Sequence, residues 1–202
     1  MKPTEILSNE HRVIERALDV LDAIAKRACE RNAIDLDASA KVLRVLRTFA
    51  DECHHGKEEN QLFPRIEQRG MPRHVGPMAV MLHEHELGRA AIRAMGNAVE
   101  AAKKNDASAP AAFAKHATEY TTLLREHIAK EDQILFPMAE SMLTDADRAD
   151  LLRQFANVEA KDIGAGVHEE MLALVDELCA TLGVKPSQPL PKMGGCCHGH
   201  HH

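Results

Sequence analysis

The string CysHisHisGlyLysGluGluAsnGlnLeuPhePro at residues 53–64 returns as GluHisIleAlaLysGluAspGlnIleLeuPhePro at residues 126–137. Both copies hold His-x-x-x-Glu followed by Leu-Phe-Pro: His54 with Glu58, and His127 with Glu131. On an α-helix, residues four apart lie on one face, one turn from each other. The repeat therefore asks for two helices, each offering an imidazole and a carboxylate in the same direction. Two such faces brought together inside a bundle supply the ligands of a metal centre.

The rest of the chain agrees with helices. Ala, Leu, Glu, Arg and Met are abundant, aromatic residues make up only 3%, and there is no Trp. No long run alternates with period two, so the fold class expected is all-α. Six helices are expected, at about residues 3–31, 37–69, 77–104, 110–142, 144–161 and 167–182. Pro3 suits a first helical turn and Thr144 an N-cap. Pro64 and Pro137 each remove a backbone donor just after the repeated motif, which predicts a kink or a terminus there. The inward stripe of the fourth helix is expected to be Phe113, His116, Tyr120, Leu123, His127, Glu131 and Ile134.

Two lone histidines extend the repeat. His11 precedes His54 by 43 residues, and His85 precedes His127 by 42. Each half then reads as one helix with an inward His followed by one with His-x-x-x-Glu. The expectation is an internal duplication forming an antiparallel, up-down four-helix bundle with two additional C-terminal helices. In domain terms, residues 1–142 form the metal-binding bundle, 143–184 a helical extension and 185–202 a flexible Pro/Gly/Cys/His tail.

The inward polar set is His11, His54, Glu58, His85, His127 and Glu131. Unpaired buried carboxylates cost several kcal/mol, roughly, so six such groups need a common partner. Two irons could each take imidazoles from one half, with both carboxylates bridging. Imidazole and carboxylate also suit Zn or Mn. His55 and Glu59 are set about 100° away on an α-helix, and the second copy has Ile128 and Asp132 in those places, so the repeat favours His54 and Glu58. Tyr120, the only Tyr, and His116 continue the stripe above His127 and are the candidate catalytic side chains. His83 reads as a surface or supporting residue, and Glu15 as a surface residue or a spare ligand. His168, at the start of the sixth helix, has no assigned role.

These motifs resemble the hemerythrin-like family, also called the HHE cation-binding domain. The resemblance covers about residues 4–142. It is carried by GluHisArgValIle around His11, the string from His54, HisGluHisGluLeuGlyArg around His85, and the string around His127. It implies a four-helix bundle holding an oxo- or hydroxo-bridged di-iron site that binds or reacts with O2, peroxide or NO. Met81 and Arg89 flank His85 at four residues where oxygen carriers have a second His, so simple oxygen carriage is not implied. Iron storage or delivery, repair of iron centres, and peroxide decomposition are the alternatives.

Partners are expected to be small diatomic molecules or peroxide. The net charge of −6 and the lack of a basic stripe argue against nucleic acid. No apolar stretch predicts a membrane span, and no leader-like segment opens the chain, so a cytoplasmic protein is expected. Five cysteines without framework spacing fit reduced thiols. The ending GlyGlyCysCysHisGlyHisHisHis reads equally as a soft-metal-binding tail or a tag remnant.

Overall fold

The computed structural model describes residues 1–164 and 166–188, and all regular structure in them is helical. The α-helices are α1 (Pro3–Arg31), α2 (Leu36–Val45), α3 (Phe63–Gln68), α4 (Gly76–Lys103), α5 (Ala109–Lys130), α6 (Phe136–Met142), α7 (Asp145–Asn157) and α8 (Val167–Leu182). Four wider, π-helical segments join them: Leu46–His55 and Glu58–Leu62 between α2 and α3, Glu131–Leu135 between α5 and α6, and Val158–Gly164 after α7. None of these helices is long and apolar enough to cross a membrane. The Cys and His residues of the tail from 189 onward lie outside the described residues.

Local chemistry sets the ends. Asp35 caps α2 by accepting from the Ala38 N–H at 3.0 Å. Thr144 and Asp147 cap α7 reciprocally, each side chain accepting from the other's backbone N–H. Asn32 takes the left-handed conformation (φ 47°) that ends α1, and Gly183 (φ 63°) ends α8.

The prolines of the repeat do not end their helices. The Phe63 N–H reaches back five residues to the Glu58 carbonyl, and the Phe136 N–H reaches back to that of Glu131. Pro64 and Pro137 then sit in the first turn of a resumed α-helix, where a missing donor costs nothing. A π turn precedes each proline, so the rod continues past it. The wider turn also changes which side chains face inward. Ile134, expected on the inner stripe, is 51% exposed, and Leu135 takes its place at 1%.

Two apolar clusters flank a polar layer. One gathers Leu21, Leu46, Phe49, Met95, Phe113 and Tyr120 with Met171, Val175 and Leu178 of α8. The other gathers Leu7, Phe63, Met78, Met81, Phe136, Leu151 and Phe155. Helix α5 packs along both α1 and α4, while α8 packs on α1 and α2. The C-terminal helices are thus built into the same core as the helices before them. They are also tied by Arg44–Glu170 at 2.7 Å, Lys41–Glu177 at 2.9 Å and Arg65–Asp147 at 2.7 Å.

Candidate metal centre

His11, His54, Glu58, His85, His127 and Glu131 are all buried, each at most 1% exposed. They converge in one layer with a seventh residue, His55, which is also buried. Ligand-type atoms of His11, His54, Glu58 and Glu131 lie within 4.8 Å of one another, as do those of His55, Glu58, His85 and His127. Glu58 belongs to both groups. Glu131 stands between them, its Oε2 being 3.2 Å from both His11 Nε2 and His127 Nε2.

His55 is the residue that α-helical spacing misplaces. A 100° step per residue cannot put two consecutive side chains on one face. The π-helical segment Leu46–His55 turns less per residue, and His54 and His55 both enter the layer. The His55 ring stacks on His85, centroids 3.9 Å apart at 18°.

Each of four imidazoles is oriented from behind by a carboxylate. Nδ1–H donates to Glu10 from His54 at 2.9 Å, to Asp132 from His11 at 2.9 Å, to Glu59 from His85 at 2.6 Å and to Glu84 from His127 at 2.9 Å. The carboxylates only accept, so Nδ1 carries a proton, and in the neutral ring Nε2 presents a lone pair inward. His55 is held more loosely, Nδ1 lying 3.4 Å from Asp51.

Behind the carboxylates stand cations. Lys57 pairs with Glu10, Arg12 with Asp132, Arg89 with Glu59 and Asp51, and Lys130 with Glu84. The layering follows the duplication: Glu10, His54 and Lys57 match Glu84, His127 and Lys130. The Phe residues of Leu-Phe-Pro match as well. Phe136 stacks on His11 at 5.4 Å and Phe63 on His85 at 6.1 Å, closing the layer from below.

The inner atoms are left without hydrogen-bond partners: His11 Nε2, His54 Nε2 and both carboxylate oxygens of Glu58 and of Glu131. Their neighbours are close but misaligned for hydrogen bonds. His85 Nε2 faces His127 Nε2 at 3.1 Å, so a proton on His127 is shared with the His85 lone pair. Burial, with the charge of Glu131, drives Glu58 well above the usual carboxylate range. Burial also opposes charge on Glu131, but the His127 and His11 imidazoles outweigh it and hold that carboxyl low. Burial depresses His54 to about 4 and His85 to about 3. His127 rises to about 9, because Glu131 and Glu84 overcome its burial. A protein does not gather such groups for stability, since each costs free energy when unpaired. Cations between the two carboxylates and the opposed imidazoles remove every one of these conflicts, so the residues fit a metal pair.

Other candidates fall elsewhere. Tyr120 is buried with its hydroxyl unpartnered, and its ring packs against Gly88, where an added Cβ would lie 3.4 Å from Cε2. His116 is 32% exposed and bonds Glu119 at 3.1 Å, away from the layer. His83 is exposed, and Glu15 pairs with Arg12 at 2.8 Å. Glu10, Glu159 and His168 also approach one another, but the Lys57 ammonium already pairs with both carboxylates.

Sequence comparison decides the kinship. Residues 2–139 match the Hemerythrin HHE cation binding domain. The chain belongs to the hemerythrin family. Every residue of the polar layer, with its four orienting carboxylates, falls inside this hemerythrin domain, whereas α7, the π-helical segment after it and α8 lie beyond it. The chain is also 24% identical over 180 residues to uncharacterized proteins of Mycobacterium tuberculosis and Mycobacterium bovis, covering 89% of this chain and 70% of theirs. No solved structure matches.

Proposed function

We propose that this hemerythrin domain holds two metal ions, iron being the best suited, and binds or reacts with O2, peroxide or NO there. The observation that carries the reading is the pair of donor groups sharing Glu58, with the inner atoms of His11, His54, Glu58 and Glu131 unpartnered. In this reading His11 and His54 would hold one ion, His55, His85 and His127 the other, and Glu58 and Glu131 would serve both. An iron pair would supply redox chemistry and positions for small ligands, because these seven side chains are fewer than two six-coordinate ions take.

The chain's own residues perform the preparation. Glu10, Asp132, Glu59 and Glu84 fix the imidazole tautomers and raise their basicity. Phe63, Phe136 and the apolar clusters exclude bulk water, which strengthens every charge interaction in the layer.

The same reading includes an antiparallel up-down arrangement of four rods. Ser8–Asp132 and Asp19–Arg125 pair α1 against the α5 rod in opposite directions. His85–His127 and Gly88–Tyr120 do the same for α4 and α5. The cytoplasm is the compartment we assign with it, on the thiol pattern of the sequence.

The test is to load the protein with ferrous iron without oxygen and add O2, NO or peroxide separately. The expected result is a new near-ultraviolet or visible absorption with at least one of them. A spectrum unmoved by all three contradicts the proposal.

A further inference from the structure

Apart from His55, the two halves of the polar layer match from the imidazoles out to the cations behind them, and they differ beyond these. In the second half, Lys130 pairs with Glu84, is 35% exposed, and has no second carboxylate among the described residues. In the first half, Lys57 is fully buried. Its ammonium pairs with Glu10 and, at 2.6 Å, with Glu159, and the Phe155 ring lies 5.8 Å away. Phe155 belongs to α7 and Glu159 to the π-helical segment after it. Both lie outside residues 2–139, the part matched to the family.

A buried ammonium is costly unless its charge is matched and its donors are satisfied. Here the C-terminal segment supplies the match. The contacts form one chain from surface to centre: Glu159 to Lys57, Lys57 to Glu10, and Glu10 to His54 Nδ1 at 2.9 Å. Glu159 is 34% exposed at the outer end, while Lys57, Glu10 and His54 are closed from solvent.

We propose that the C-terminal segment is a working part of the metal centre. Glu159 is a positioning residue that, through Lys57 and Glu10, fixes His54 and seals that half, leaving the His127 half as the side in exchange with solvent. The proposal rests on the metal-centre reading above. It assigns a role to residues that the family match does not cover.

The test uses the full chain loaded with Co(II), whose paramagnetism moves ligand imidazole N–H protons into a clear region of the NMR spectrum. The His54 and His127 protons are assigned by their perturbation in Glu10→Gln and Glu84→Gln. In deuterated buffer, the His54 proton is expected to exchange about tenfold more slowly than the His127 proton. Glu159→Gln removes that difference and leaves the His127 proton unchanged, and Glu159→Asp restores part of it. Glu170→Gln, which cuts a different tie of the same segment, to Arg44, has no such effect.

Equal exchange of the two protons in the unaltered protein overturns the inference. So does an inert Glu159→Gln, or a Glu170→Gln that acts like it. Failure to take up Co(II) or any other divalent metal overturns the metal-centre reading itself, and this inference with it.

Discussion

His55 stacks on His85 with ring centroids 3.9 Å apart, although the repeat sets His55 beside the motif rather than in it. The second copy has Ile128 at this position, so the fifth imidazole belongs to one half only. If His55 is a ligand, His55→Ala weakens one ion and spares the other. The expected outcome is a fall from two bound ions toward one after chelator challenge, with affinity for the lost ion down at least about tenfold. Metal analysis after gel filtration reads it, and an unchanged count removes His55 from the set.

Metal removal should be expensive for the fold. Without cations, Glu58 and Glu131 crowd each other in a buried layer. Binding at a thousandfold excess over Kd contributes about 4 kcal/mol, which for a chain of this size is a shift of about 10 °C. Differential scanning of loaded and chelated protein measures it. A companion variant separates metal from fold: Glu58→Gln relieves the carboxylate pair, so its metal-free form should be more stable than the metal-free parent by about 1 kcal/mol. The same variant should bind metal poorly. A chelated Glu58→Gln protein less stable than the chelated parent contradicts the account of the layer.

Acid should loosen the C-terminal segment at Asp147. Arg69 first, then Arg65 and Thr144, hold this carboxyl well below its ordinary value of 3.8. A lowered folded-state pKa means that the stabilisation is complete above the unfolded value and is lost as pH falls below it. Asp147→Asn should therefore be less stable than the parent at neutral pH, and the gap should close on acidification below about pH 4. Denaturant titrations at several pH values follow the gap. A difference that widens in acid refutes the assignment.

Gly96 tests the surface. It lies inside α4, and a Cβ there would come within 2.7 Å of the Arg47 guanidinium. Arg47 is exposed, so its flexible end can swing aside. Gly96→Ala should then gain roughly 0.5–1 kcal/mol from helix propensity. Thermal unfolding reads the gain, and a loss of stability would mean that the Arg47 contact is worth more than the propensity.

Much of this architecture was legible in the residues. The limits of α1 and α8, the Thr144 cap and the convergence of His11, His54, Glu58, His85, His127 and Glu131 follow from helical spacing and a duplicated motif. The misplacements of His55 and Ile134 share one cause. Phase arguments assume 3.6 residues per turn, and the π turns at Leu46–His55 and Glu131–Leu135 break that phase. This brings His55 in and turns Ile134 out. The orienting carboxylates had a local signal that went unused. An acid precedes both lone histidines (Glu10, Glu84), and another follows the Glu of both repeated motifs (Glu59, Asp132). The Glu159–Lys57 contact had none, because it joins residues 102 apart in sequence.

The central claim is a two-ion centre, and metal content reads it most directly. Protein purified aerobically should carry about two irons per chain with near-ultraviolet bands of a coupled pair. Glu131→Ala should carry fewer than one. Protein that takes up no iron, or a Glu131→Ala variant that still holds two, would contradict the account.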